Sequence, residues 1–293
     1  MKKTVIAASL ALMAAAGSAQ AGDFFSLPTN LTTLTPGNGG LVNGATNPNA
    51  DRLYIENLSA SFLDGYDDTR VWDADPELSG SGNVVATSIN YRAFNSGGTI
   101  ATGTLTLLDW RVTTGVPLLP DEPQATVFDF VYRDSRDNAL VFGTRYLNLV
   151  DNSQEVNFLY RYGLTGYSAA SAWTFLTDGD LRQYQAGLTS STSTSNDGVP
   201  FDGDSVRQRG DFSVTEGNPW SGLFLVKTDA TAYTLGNKAI GYFQAGEEGQ
   251  APAGGFIGGF VPTAPVPEPE TYALMLAGLG LIGLAARRRA QRG

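Results

Sequence analysis

The chain has 293 residues, a net charge of −10, 35 Gly, and neither Cys nor His. Without Cys and His there is no Ser-His-Asp or Cys-His catalysis, no histidine general base, no disulfide and no zinc site of the usual ligand set. Readily available chemistry is therefore limited to carboxylates.

The N-terminus reads as a signal peptide over residues 1–21. Met1-Lys2-Lys3 forms a basic start, Val5–Ala16 is a short apolar stretch, and Ala19-Gln20-Ala21 is a small-x-small cleavage site that leaves Gly22 as the new terminus. No twin-Arg pair precedes the apolar stretch, so the general secretory route is expected. Four more basic residues (Arg287, Arg288, Arg289 and Arg292) and two acids (Glu268, Glu270) lie at the far end. With Lys2 and Lys3 set aside as well, segment 22–266 carries a net charge near −14 and only two lysines, Lys227 and Lys238. So acidic a surface argues against nucleic acid as a partner.

From Gly22 onward the two-residue period of half-buried strands recurs and the helical period is scarce. Leu53–Leu58 is a first strand. Val85, Thr87, Ile89, Tyr91 and Ala93 form a second, ended by the turn signal Asn95-Ser96-Gly97-Gly98; Ile100–Val112 returns through Thr102, Thr104, Thr106, Leu108 and Trp110. A second hairpin places Thr126, Phe128, Phe130 and Tyr132 on one face, turns at Asp134–Asn138, and returns through Leu140, Phe142, Thr144 and Tyr146. Glu155–Tyr162, Ser205–Val214, Gly222–Thr228 and Lys238–Ala245 are further strands. Ser168–Leu176, extended through Leu181–Gln185, is the one short helix expected, and Thr189–Asn196 is a polar low-complexity loop. No repeat of β-helix length occurs. Together these features predict an all-β fold, an antiparallel β-sandwich or jelly-roll-like domain over 22–249, followed by a Gly/Pro-rich flexible spacer over 250–266.

Acids cluster in the expected loops. Asp73 and Asp75, and Asp202 and Asp204, are the candidate Ca²⁺ ligands, because Ca²⁺ gathers six to eight oxygens and Asp-x-Asp pairs on loops supply them. The Asp73 run lacks the EF-hand glycine, since Leu78 stands at its sixth place. Apart from Ca²⁺, no cofactor is expected. Tyr132, Tyr146, Tyr160, Tyr162 and Tyr167, with Trp72, Trp110, Trp173 and Trp220, are either a stacking platform for sugars or ordinary strand core. Asp129, Glu155 and Glu56 lie in or beside strands, but no motif joins them into the carboxylate pair of a glycoside hydrolase. No catalytic residue is assigned, and the chain is not expected to be an enzyme. Two alternatives stand beside that reading: a secreted carbohydrate-binding module, and a secreted polysaccharide-active enzyme using a carboxylate pair.

Residues 267–293 are the most specific stretch. Pro267-Glu268-Pro269 cannot join a helix, because each Pro lacks the backbone N–H and fixes its own φ. The helix therefore begins with Glu270, whose charge suits the positive end of the helix dipole. Thr271–Ala286 holds no charge and includes five Leu and one Ile. Its 16 residues span about 24 Å, somewhat short of a ~30 Å hydrocarbon core. Gly278, Gly280 and Gly283 weaken insertion further, so 271–286 is a marginal transmembrane helix. Arg287, Arg288 and Arg289 form a cytoplasmic stop by the positive-inside rule.

Here the chain resembles the PEP-CTERM proteins, a class exported by Gram-negative bacteria. The resemblance covers about the last 27 residues: Val266-Pro267-Glu268-Pro269 as the signature, Ala273–Ala286 as the helix, and Arg287–Arg289 as the basic stop. It implies recognition by a membrane-embedded exosortase that cleaves near the signature. It also implies transient anchoring in the inner membrane, a final place at the cell surface or in the extracellular matrix, and a link to exopolysaccharide and biofilm.

Overall fold

The computed structural model describes residues 24–27, 55–63, 85–94, 100–117, 125–147, 158–174, 183–189, 205–210, 221–244 and 253–264. These form strands β1 (Phe25–Ser26), β2 (Ile55–Phe62), β3 (Ala86–Phe94), β4 (Ile100–Val116), β5 (Ala125–Asp134), β6 (Leu140–Leu147) and β7 (Phe158–Arg161). They continue as β8 (Ala169–Thr174), β9 (Gln183–Thr189), β10 (Ser205–Gly210), β11 (Leu223–Thr228), β12 (Ala232–Gln244) and β13 (Ala253–Thr263). All pairings are antiparallel. One sheet has the order β1-β8-β11-β6-β5-β4-β3-β2 and the other β13-β12-β7-β10-β9.

The larger sheet begins as a meander, β2 through β6, and curls until β2 contacts β8. Its concave side holds one apolar cluster drawn from nearly every strand: Ile55, Ile89, Tyr91, Leu105, Phe128, Phe130, Tyr132, Val141, Ala172, Leu223 and Leu225. The opposite side of its central strands packs on the smaller sheet. There Val127, Tyr146, Trp173, Phe224 and Val226 meet Leu159, Val206, Ile240 and Tyr242. β5 is therefore buried on both faces, and its alternation separates two cores rather than core from solvent. Burying each of these aromatic and aliphatic side chains contributes about 1.5–3 kcal/mol, and this stands in for the missing disulfides.

The hairpins β3–β4 and β5–β6, and the strands β2, β7, β10, β11 and β12, overlap the expected segments, although β2 runs on to Phe62 and β12 starts at Ala232, ahead of Lys238. Three expectations are corrected. The segment expected as a helix is strand: β8 covers 169–174 and β9 covers 183–189. Alanine's helix preference loses to burial, because Ala170 and Ala172 fit the concave core while Ala169 and Trp173 fit the inter-sheet core. Second, the alternation of β4 does not run unbroken to Trp110; a bulge between Leu107 and Asp109 shifts it, so Leu107 and Trp110 both pack on the concave core.

The third correction concerns 250–266, expected to be a flexible spacer, which contains the eleven-residue strand β13. Its glycines serve close approach. A Cβ at Gly255 would press on the Tyr242 ring, and one at Gly259 would collide with the Asp129 carboxylate. Thr189 ends β9, and the rest of the polar loop through Asn196 lies outside the described residues.

Candidate functional site: the sorting segment and the strand that carries it

β13 is the last described element, and the chain continues from it directly into the sorting signature. Only Ala264, Pro265 and Val266 separate Thr263 from Pro267. Four peptide steps span at most about 14 Å.

β13 is held in three ways. It pairs with β12 from Ala232↔Thr263 to Gln244↔Ala253, interrupted by a register shift between Gly236 and Ile240. Phe260 packs among Val131, Leu140, Phe142 and Ala230, and the Tyr233 ring meets it edge-on at 5.5 Å. Third, a buried charge pair grips its backbone. Arg161 Nη1 donates to Asp129 Oδ1 at 2.7 Å and to Thr144 Oγ1 at 2.9 Å, while Nη2 donates to the Phe260 carbonyl at 2.8 Å. The Phe260 N–H donates in turn to Asp129 Oδ2 at 2.6 Å. Both charged side chains are nearly inaccessible, at 2% and 3% exposure, and the guanidinium lies 5.1 Å over the Phe142 ring. The network joins β5, β6, β7 and β13, and so both sheets. Gln208 Nε2, on β10, ties the sheets again by donating to Ser171 Oγ on β8 at 2.9 Å.

Burial pushes the Asp129 carboxyl up, and the Arg161 charge with the Phe260 N–H pulls it back. Asp129 is one of the three candidate acids for a carboxylate pair, and its oxygens are committed to Arg161 and Phe260. The Glu56 side chain and all of Glu155 lie outside the described residues, so the structure places neither carboxylate relative to Asp129. Of the aromatics, Tyr132, Tyr146, Tyr160, Tyr162 and Trp173 are buried core, and Trp110 and Tyr167 are half-buried against it. These rings form no exposed row. Trp72 and Trp220 lie outside the described residues, as do Asp73, Asp75, Asp202 and Asp204. So do Ala19, Ala21, Pro267, Glu268, Pro269, Arg287, Arg288, Arg289 and the helix 271–286.

The sequence reading missed Arg161 as an organiser of the domain. A signal was present: it is a lone cation in an otherwise apolar strand, as Asp129 is a lone anion between two Phe.

Comparison with known families identifies the segment C-terminal to β13. The model of the PEP-CTERM protein-sorting motif matches residues 265–289. No curated protein and no solved structure matches the chain. The described part of the molecule is thus antiparallel all-β, and a PEP-CTERM sorting motif follows it in the chain. That motif makes the chain an exported protein, sorted to the cell envelope or surface through processing by an exosortase.

Proposed function

We propose that this is a non-enzymatic surface or extracellular-matrix protein of a Gram-negative envelope, linked to exopolysaccharide and biofilm. Its two-sheet domain, which we read as a β-sandwich with one curled sheet, is the cargo. Helix 271–286 holds it in the inner membrane for a limited time, with Arg287–Arg289 on the cytoplasmic side. An exosortase cuts near Pro267–Pro269, and the domain leaves with β13 as its terminal strand. The observation that carries this reading is the sorting motif beginning at residue 265, two residues beyond the end of β13.

The test is to fractionate cells with and without an exosortase and to weigh the recovered chain. With the enzyme, the chain should leave the membrane fraction and lose the mass of its tail. Without it, the chain should remain membrane-bound at full length below the signal-peptide cut. Identical location and mass in both strains would refute the proposal.

A further inference from the structure

One end of the concave core holds a lysine between two carboxylates. Lys227 Nζ, on β11, lies 2.7 Å from Asp134 Oδ2 and 2.7 Å from Asp137 Oδ2. The Lys227 side chain is 14% exposed and that of Asp134 0%, whereas Asp137, in the β5–β6 turn, is 51% exposed. The Phe24 ring lies 5.4 Å from the ammonium and meets the Tyr91 ring edge-on at 6.2 Å. Tyr91 Oη–H donates to Asp134 Oδ2 at 2.8 Å, and the Arg136 N–H donates to Oδ1 at 3.1 Å. Burial, followed by the Asp134 and Asp137 carboxylates, pushes the Tyr91 hydroxyl up, so it stays a donor.

This is an amine and a carboxyl held in reacting position. The 2.7 Å contact to Oδ2 keeps Nζ within about 4 Å of Cγ, so the two groups need no bimolecular encounter. A buried ion pair also carries a desolvation penalty that a neutral amide does not. We propose that Lys227 and Asp134 condense into an intramolecular amide bond that fastens β11 to β5, with Asp137 carrying the proton.

Proton transfer within the pair, from Nζ to Oδ2, leaves a neutral amine and a neutral carboxyl. The Nζ lone pair then attacks Cγ, and charge gathering on Oδ1 is met by the Arg136 N–H, a preorganised donor. Asp137 takes a second proton from the attacking nitrogen and delivers it to Oδ2, which leaves as water with the Tyr91 hydroxyl as its donor. Of the three ammonium protons, two depart in that water and one stays on the amide nitrogen. The positive and negative charges disappear together, and no oxidant is required. A cross-link of this kind suits an exported chain without cysteine.

The test is tryptic peptide mapping of the exported full chain. Asp134-Ser135-Arg136 should be recovered branched onto a peptide in which Lys227 is uncleaved, one water lighter than the two parts together. Lys227→Arg should abolish the branched species. Asp137→Asn should slow its appearance in newly synthesised chain by about 100-fold, the contribution of a positioned proton carrier. Recovery of separate, unmodified Asp134 and Lys227 peptides from the natural chain would overturn the proposal. So would a branched species in Lys227→Arg, or an unchanged rate in Asp137→Asn.

Discussion

Asp129→Asn tests whether the buried charge pair holds β13 in place. The substitution keeps size and shape but removes the negative charge, leaving Arg161 as a cation of 2% exposure beside a neutral amide. Removing one partner of such a pair costs about 3–5 kcal/mol, because the remaining charge stays desolvated. A typical domain has about 5–15 kcal/mol in all, so the loss is a large share of the total. Urea denaturation should show the midpoint falling at an unchanged slope. The cost should concentrate at the C-terminal edge, with amide exchange along β13 rising more than along β5 or β11. The double variant Asp129→Leu/Arg161→Met removes both charges but leaves the Phe260 N–H and carbonyl without those partners, so it should be more stable than Asp129→Asn and less stable than the natural chain. A loss below about 1 kcal/mol in Asp129→Asn, or a double variant no more stable than it, would refute the reasoning.

Gly259→Ala places a methyl group against the Asp129 carboxylate, so β13 or the carboxylate must move. A loss of about 1–3 kcal/mol and faster proteolysis after β12 are expected, and an unchanged urea midpoint would show that the site has room. Alkaline pH supplies an independent perturbation. Burial pushes the hydroxyls of Tyr91, Tyr132 and Tyr146 above the ordinary tyrosine value of about 10. The unfolded chain therefore releases these protons first as pH rises. The stability they contribute is complete below pH ~10 and is lost above it, at about 1.4 kcal/mol per pH unit for each ring and about 4 for the three. Urea melts at a series of alkaline pH values should give that slope; a flat profile would mean that the three rings are solvated in the fold.

What the sequence made legible is what is local. Phe128, Phe130 and Tyr132 alternate with Val127, Asp129 and Val131, and that period is enough to place β5 and its hairpin partner β6. The sorting motif is equally local, a linear run of prolines, apolar residues and arginines. Three kinds of structure were hidden. In β8, small alanines lie between two cores, a position that leaves no polar face and so no alternation. In β13, glycines look like a linker unless one knows that Tyr242 and Asp129 stand opposite them. The Arg161–Asp129 pair joins residues 32 positions apart, and the Lys227–Asp134 pair residues 93 apart. No local pattern records such partners.

The position of the Arg161 network explains why an exported domain would keep a buried ion pair that hydrophobic residues could replace. β13 is an edge strand and rich in glycine, and both features weaken register. Strand register slips most easily where side chains are small, and a slip of one residue moves every side chain to the wrong face. Here such a slip would carry Phe260 away from Val131 and Phe142 and turn its N–H and carbonyl away from Asp129 and Arg161. The two charges would then lie buried without those backbone partners, which is far costlier than losing an apolar contact of the same size. The pair thus acts less as a source of stability than as a penalty on every other register. It acts on the strand that leads directly into the sorting motif.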